Sequence, residues 1–78
     1  MTQQLLVRYD SFDRAAFDGD AENRGNAGLT LLQRWQESDG ADTWLLFSVN
    51  DAGKATSWLS QADSLGHAPA EAHFLRTA

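Results

Sequence analysis

The stretch LTLLQRWQESDGADTWLLFSV, residues 29–49, consists of two apolar runs separated by a short polar segment. Residues 29–36 and 43–49 are rich in leucine and aromatic residues, and residues 38–42 (SDGAD) contain an Asp-Gly pair. Apolar runs on either side of an Asp-Gly turn are typical of a β-hairpin. The stretch therefore predicts two antiparallel strands, and the rest of the chain is interpreted around them.

Two further strands are predicted outside this hairpin. Residues 4–9 alternate in character, so Leu6 and Arg8 share one face of a first strand, because strand side chains change face at every residue. Residues 71–77 form a last strand after a loop that contains Pro69, a residue that cannot donate a backbone hydrogen bond. Each half of the chain thus has a strand at its beginning and at its end.

A helix is predicted between the two strands of each half. Asp10 and Ser11 are N-cap residues for the first helix, and residues 25–28 (GNAG) end it. Asn50 and Asp51 cap the second helix. The second helix carries an apolar stripe followed by a glycine: Ala52, Ala55, Trp58, Leu59, Ala62, Leu65 and Gly66.

The element order is therefore β-α-β-β-α-β, which predicts a single ferredoxin-like α+β domain over residues 1–78. Right-handed crossovers place both helices on one face of a four-stranded antiparallel sheet, with strands one and three in the centre.

The opposite face of this sheet is predicted to be apolar. Strict alternation places the following residues there: Leu6, Arg8, Thr30, Leu32, Arg34, Trp44, Leu46 and Ser48. A monomer seldom exposes a contiguous patch of this composition. A second copy of the chain or a ligand is therefore expected to cover it.

Charge and composition exclude several classes of partner. Eleven acidic and six basic residues give a net charge of −5, which disfavours phosphate backbones and anionic lipid surfaces, so neither nucleic acid nor membrane is an expected partner. The chain has no cysteine, and its first apolar run is too short for a signal or spanning segment. A soluble cytoplasmic protein is expected.

In strand order, size and apolar outer sheet face, the chain resembles the dimeric α+β barrel group. More narrowly, the segment 28–35 (GLTLLQRW), the strand ending at 49–51 (VND) and the Trp58-Leu59 helix are similar to small uncharacterised bacterial domains of that group. The resemblance implies a homodimer in which two sheets stack face to face. The group includes cofactor-free monooxygenases, isomerases, haem-degrading enzymes and ligand-sensing domains, so it implies no particular chemistry.

A few polar residues are candidates for function. His73 on the last strand is a candidate general acid or base, and Tyr9 at the end of strand one is a candidate proton donor. Arg8, Arg34 and Trp44 are candidates for binding a small anionic or aromatic ligand, because guanidinium groups hold carboxylates in bidentate fashion. Each of these residues also has a purely structural interpretation, as an interface or half-buried strand residue.

No metal site or cofactor is predicted. The segment 18–22 (DGDAE) has the acidic spacing of a calcium loop, but Asn23 and Leu29 occupy the positions where such a loop needs glycine and glutamate. Two functional hypotheses remain: a homodimeric binding or interaction module, and a cofactor-independent enzyme acting on a small organic substrate.

Overall fold

The computed structural model describes residues 3–38, 40, 42–64 and 68–77, which form an α+β fold with an open four-stranded antiparallel sheet and three helices. The elements in chain order are β1 Gln3–Tyr9, α1 Arg14–Gly19, α2 Ala21–Asn26, β2 Leu29–Gln36, β3 Thr43–Val49, α3 Ala52–Ser64 and β4 Glu71–Arg76.

The strand order across the sheet is β2-β3-β1-β4, so β1 and β3 are central, as the sequence predicts. The predicted hairpin is confirmed, since β2 and β3 pair antiparallel along their length. The backbone N–H of Glu37 donates to the carbonyl of Asp42 at 3.0 Å and closes its turn. Asp39 and Ala41 of that turn lie outside the described residues.

The first predicted helix is wrong in its start and in its continuity. The N-cap is Asp13, whose side chain accepts a hydrogen bond from the backbone N–H of Ala16 at 3.1 Å, rather than Asp10 or Ser11. This later start leaves Phe12 outside the helix, where it packs against the core. Asp20 separates α1 from α2, so the polar stretch forms two short helices instead of one.

The second predicted helix is confirmed as α3. The carboxylate of Asp51 caps it by accepting from the backbone N–H of Lys54 at 3.1 Å. Ala55 and Trp58 are buried, in agreement with the predicted stripe, whereas Ala52 is exposed. The stripe's Leu65 and the terminating Gly66 lie outside the described residues. Within the described part of the chain, no helix has the length and apolar character needed to cross a membrane.

All three helices cover the same face of the sheet. The four largest fully buried side chains, Leu5, Val7, Leu45 and Phe47, come from the two central strands. The rest of the buried apolar core consists of Ala27, Leu29, Val49, Ala55 and Trp58. Burial alternates strictly along β3, which shows that one side of this strand meets the helices and the other does not.

A β-bulge in β2 changes which residues face the helices. Leu31 pairs with Phe47, but Gln33 already pairs with Leu46, so Leu32 is an extra residue between two regular segments. An added residue exchanges the faces of every side chain that follows it, relative to strict alternation.

Arg34 is therefore placed wrongly by the sequence analysis. It pairs with Leu45, a core residue, and so lies on the helix side of the sheet edge. Trp35 instead occupies the place on the opposite face that was predicted for Arg34, directly beside Trp44.

The connection from α2 into β2 depends on Gly28, which has a φ of +74°. Its carbonyl accepts a hydrogen bond from the backbone N–H of Asn50 at 2.8 Å, which ties the start of β2 to the end of β3. A Cβ atom at Gly28 would lie 3.0 Å from the Cβ of Asn50. Backbone conformation and close approach both require glycine at this position.

Candidate functional site

The sheet face without helices, called the open face here, carries three rows of side chains. Cross-strand partners share a face, so each row follows from the strand pairing. From β4 to β2, the rows are Glu71-Arg8-Trp44-Trp35, His73-Leu6-Leu46-Gln33 and Leu75-Gln4-Ser48-Thr30. The first row is charged at its β4 end and aromatic at its β2 end, and the second has leucines in its centre.

Arg8 is the centre of an ion-pair network at one end of the open face. Its guanidinium donates to the carboxylates of Asp10, of Asp42 at 3.3 Å and of Glu71 at 3.0 Å. Three carboxylates around one arginine leave this end of the sheet negatively charged. In-plane hydrogen bonds leave the flat faces of a guanidinium free for stacking. Three of the five N–H donors of Arg8 are thus engaged within its own chain, and the faces of its guanidinium are available for stacking.

His73 belongs to the same network. Its Nε2 atom lies 3.2 Å from Oε2 of Glu71, and the imidazole is exposed on the open face. The hydrogen bond from His73, followed by that from Arg8, lowers the pKa of the Glu71 carboxyl below its ordinary value of 4.5. Glu71 is thus ionised at neutral pH and links the histidine to the arginine.

Large apolar side chains on the open face are accessible to solvent. Trp35 is 46% exposed and Leu75 is 43% exposed, while Trp44, Leu6 and Leu46 are half-buried. Trp35 is a residue that the sequence analysis missed, because the bulge that places it beside Trp44 leaves no mark in the apolar pattern. The two indoles form the aromatic half of the face.

A second candidate site, called the helix-side cavity here, lies on the covered side of the sheet. It is a partly open cavity with a volume of about 290 Å³, lined by residues of all three helices and the end of β1. Aromatic rings form a chain along it, with centroids 5.5 Å apart for Tyr9 and Phe12 and 5.3 Å apart for Phe12 and Phe17. The chain continues through Phe47 to Trp58, at 6.3 and 6.1 Å.

Asp20 presents a fixed carboxylate to this cavity. Its Oδ2 atom accepts from Nε1 of Trp58 at 2.8 Å, and its Oδ1 atom accepts from Nδ2 of Asn23 at 2.8 Å. A carboxylate has about four acceptor sites, so Asp20 retains capacity for further donors. The two hydrogen bonds fix the orientation of the carboxylate and leave acceptor positions for a ligand.

Tyr9 also lines this cavity, on the helix side of β1, where it pairs with the buried Thr43. Its hydroxyl makes no hydrogen bond to any of the described residues. Burial raises the pKa of Tyr9 to about 12; the negative charge of Asp20 acts in the same direction, and the positive charge of Arg24 opposes both. Tyr9 is therefore a neutral phenol whose hydroxyl is unpaired among the described residues.

Arg24 is a buried cation that the sequence analysis missed. Its guanidinium carbon lies 3.6 Å from the centroid of the Phe17 ring, and the guanidinium donates to the Phe17 carbonyl. Burial lowers the pKa of Arg24. The position shows that the aromatic cluster already holds one cation by a ring face.

The structure thus divides the predicted site residues between two faces of the sheet. His73, Arg8 and Trp44 share the open face, whereas Tyr9 and Arg34 lie on the helix side. Tyr9 and His73 therefore do not form one catalytic pair. In the described ranges, no group of three or more histidine or acidic side chains has metal-binding geometry.

The raised pKa of Tyr9 has a direct spectroscopic test. The chain has a single tyrosine, so phenolate absorbance near 295 nm reports on Tyr9 alone. We expect the folded protein to titrate near pH 12 and the urea-unfolded protein near pH 10. Because the folded pKa is the higher one, this group stabilises the fold fully below pH 10, and the contribution is lost as pH rises toward 12. A folded-state midpoint at pH 10 would contradict the burial of Tyr9.

Together, the fold and the two sites define a small α+β domain with an uncovered sheet face and a cavity on the helix side. No protein-family model, no curated protein and no solved structure matches the chain. Function is therefore inferred from the geometry of these two sites.

Proposed function

We propose that the protein is a homodimeric interaction module in which two ferredoxin-like subunits pack open face against open face. The strand order supports the ferredoxin-like assignment, because it becomes β4-β1-β3-β2 when counted from the other edge, with all three neighbouring strand pairs antiparallel. The observation that carries the proposal is the open face itself, where leucines and tryptophans remain accessible to water.

A second copy fits this face because the face is self-complementary. Its aromatic half lies on β2 and β3, and its charged half lies on β1 and β4. A two-fold axis that runs parallel to the strands, between β1 and β3, places the aromatic half of each copy on the charged half of the other.

This arrangement brings side chains of complementary chemistry into contact. In the first row, Trp44 of one copy stacks on the guanidinium of Arg8 of the other, a cation–π contact that uses the faces left free by the ion pairs. In the second row, Leu6 of one copy meets Leu46 of the other in the apolar centre. The third row, which is polar apart from Leu75, lies at the rim, where protein interfaces are usually polar.

The size of the domain also favours association. The molecule measures 34 × 29 × 17 Å, so it has only one helical layer on one sheet layer. Its buried core comprises nine apolar residues among those described. Domains this small have little surplus stability from their own core, and oligomerisation is one of the ways in which they are stabilised.

The molar mass in solution tests this proposal. Light scattering coupled to size-exclusion chromatography is expected to give twice the 8.6 kDa of one chain at micromolar concentration. The measurement is repeated at low and at high salt, because a mainly apolar interface changes little with ionic strength. A mass of one chain at all concentrations would overturn the proposal.

In this proposal, Arg8 and Trp44 anchor the dimer rather than a free anion, since the three carboxylates that surround Arg8 repel a further anion. The enzymatic hypothesis, with His73 or Tyr9 moving protons, stays a prediction of the sequence. The cytoplasmic location also stays a prediction.

A further inference from the structure

We propose that the helix-side cavity binds a small organic ammonium ion that carries an aromatic ring. The proposal is independent of the dimer, because the cavity lies on the opposite side of the sheet from the open face. Its volume of about 290 Å³ is just below the range of roughly 300–1,000 Å³ found for small-molecule sites, so the ligand must be small.

The charge of the lining selects a cation. Asp13 and Asp20 are the charged side chains among the described lining residues, and none of those residues is basic. Asp13 is engaged as the cap of α1. Asp20 is held by Trp58 and Asn23 with acceptor capacity to spare, so it is the expected partner of an ammonium N–H.

The aromatic walls favour the same ligand. Tyr9, Phe12 and Phe17 form a continuous cluster, with successive ring centroids 5.5 and 5.3 Å apart, and Trp58 lines the cavity as well. Ring faces attract cations, and ring edges and faces pack against an aromatic body. Arg24, 3.6 Å from the centroid of Phe17, shows that a ring face of this cluster already packs against a guanidinium.

The hydroxyl of Tyr9 adds a polar contact for the remainder of the ligand. It is uncharged at neutral pH and has no hydrogen-bond partner among the described residues, so it is free to donate or accept. A carboxylate ligand would instead meet the repulsion of Asp20 and Asp13. The site is therefore expected to discriminate by charge between ligands of the same shape.

Three probes of nearly equal shape test this discrimination by titration calorimetry at pH 7: phenethylammonium, neutral 2-phenylethanol and anionic phenylacetate. We expect saturable binding of phenethylammonium with a dissociation constant of about 1 mM or tighter. Binding of 2-phenylethanol is expected to be roughly tenfold weaker, and phenylacetate is expected not to bind. Equal affinity for the ammonium and the alcohol, or no saturation by the ammonium, overturns the proposal.

An Asp20→Asn variant tests the assigned partner. Asparagine keeps an oxygen for the Trp58 hydrogen bond, so the variant is expected to fold, as checked by circular dichroism. It should lose about tenfold in affinity for phenethylammonium and keep its affinity for 2-phenylethanol. The matched control is Asp63→Asn, which removes the same charge from an exposed residue outside the cavity lining and should change neither affinity. An unchanged ammonium affinity in Asp20→Asn contradicts the assignment.

The site of binding is read directly from the indole N–H resonances of the wild-type protein. Phenethylammonium should shift the Trp58 resonance, whose N–H is bonded to Asp20, and leave that of Trp35 on the open face unchanged. Shifts confined to Trp35 and Trp44 would place the ligand on the open face and overturn the proposal. This readout does not depend on the folding of any variant.

Discussion

A Leu46→Glu variant is expected to be a monomer at concentrations where the wild-type protein is a dimer. Leu46 lies in the middle row of the open face, on a central strand, and the proposed two-fold arrangement places it against Leu6 of the other copy. An unpaired carboxylate buried in that contact costs several kcal/mol. We expect the dimer dissociation constant to rise by roughly a hundredfold or more, as measured by sedimentation velocity over a concentration series.

The control for this variant is Leu31→Glu. Leu31 belongs to the same hairpin, is 42% exposed, and lies on the helix side because it pairs with Phe47. It adds the same charge to the same residue type without touching the open face, so the dimer should persist. If Leu46→Glu stayed dimeric while Leu31→Glu dissociated, the interface would lie on the helix side and the proposed arrangement would be wrong.

Replacing Phe47 with alanine is expected to destabilise the fold by about 3–5 kcal/mol. Phe47 is fully buried on a central strand of the sheet, and its ring lies between those of Phe17 on α1 and Trp58 on α3. Its truncation leaves a cavity where the sheet packs against α1 and α3. Because the total stability of a small domain is on the order of 5–15 kcal/mol, the loss is a large share of it.

Urea denaturation measures this loss. Unfolding and dissociation are coupled in a dimer, so the comparison is made in the Leu46→Glu background, where the unit that unfolds is one chain. The matched control is Phe47→Leu, which keeps most of the apolar volume and should cost less than about 1.5 kcal/mol. A loss below about 1 kcal/mol for Phe47→Ala would show that Phe47 is not a central packing residue.

The hairpin and α3 were predictable because their signals are local. An Asp-Gly turn between apolar runs sets the pairing of β2 with β3, and the Asp51 cap sets the start of α3. These signals lie within a few residues of the structure they determine, so one sequence is enough to recognise them.

The composition of the open face was predictable only in part, because it depends on register. The run from Leu29 to Gln36 has the same composition with or without a bulge, yet the bulge at Leu32 decides that Trp35 rather than Arg34 lies on the open face. A period-two pattern contains no information on where one residue has been added. The partners of Arg8 were missed for a similar reason, since Asp42 and Glu71 come from distant parts of the chain.

The helix-side cavity had no signal in the sequence. Asp20 and Trp58 are 38 residues apart, and their hydrogen bond exists only after α2 and α3 have packed on the same sheet. Asp20 also interrupts what looked like one helix, and this break is what turns its carboxylate into a hydrogen-bond partner for α3. Cavities of this kind arise from tertiary packing, which periodicity and caps do not describe.

The bulge at Leu32 has a consequence for how far assembly proceeds. β2 is an edge strand, and a regular edge would offer its unpaired N–H and C=O groups as a template for another strand. An extra residue breaks the even spacing of those groups and increases the local twist. A further strand could therefore not continue its backbone hydrogen bonds to β2 past the bulge. Growth by strand addition is thereby discouraged, while growth through the open face ends when two faces have met. The same inserted residue that supplies Trp35 to the interface thus also favours a closed pair over an open-ended filament.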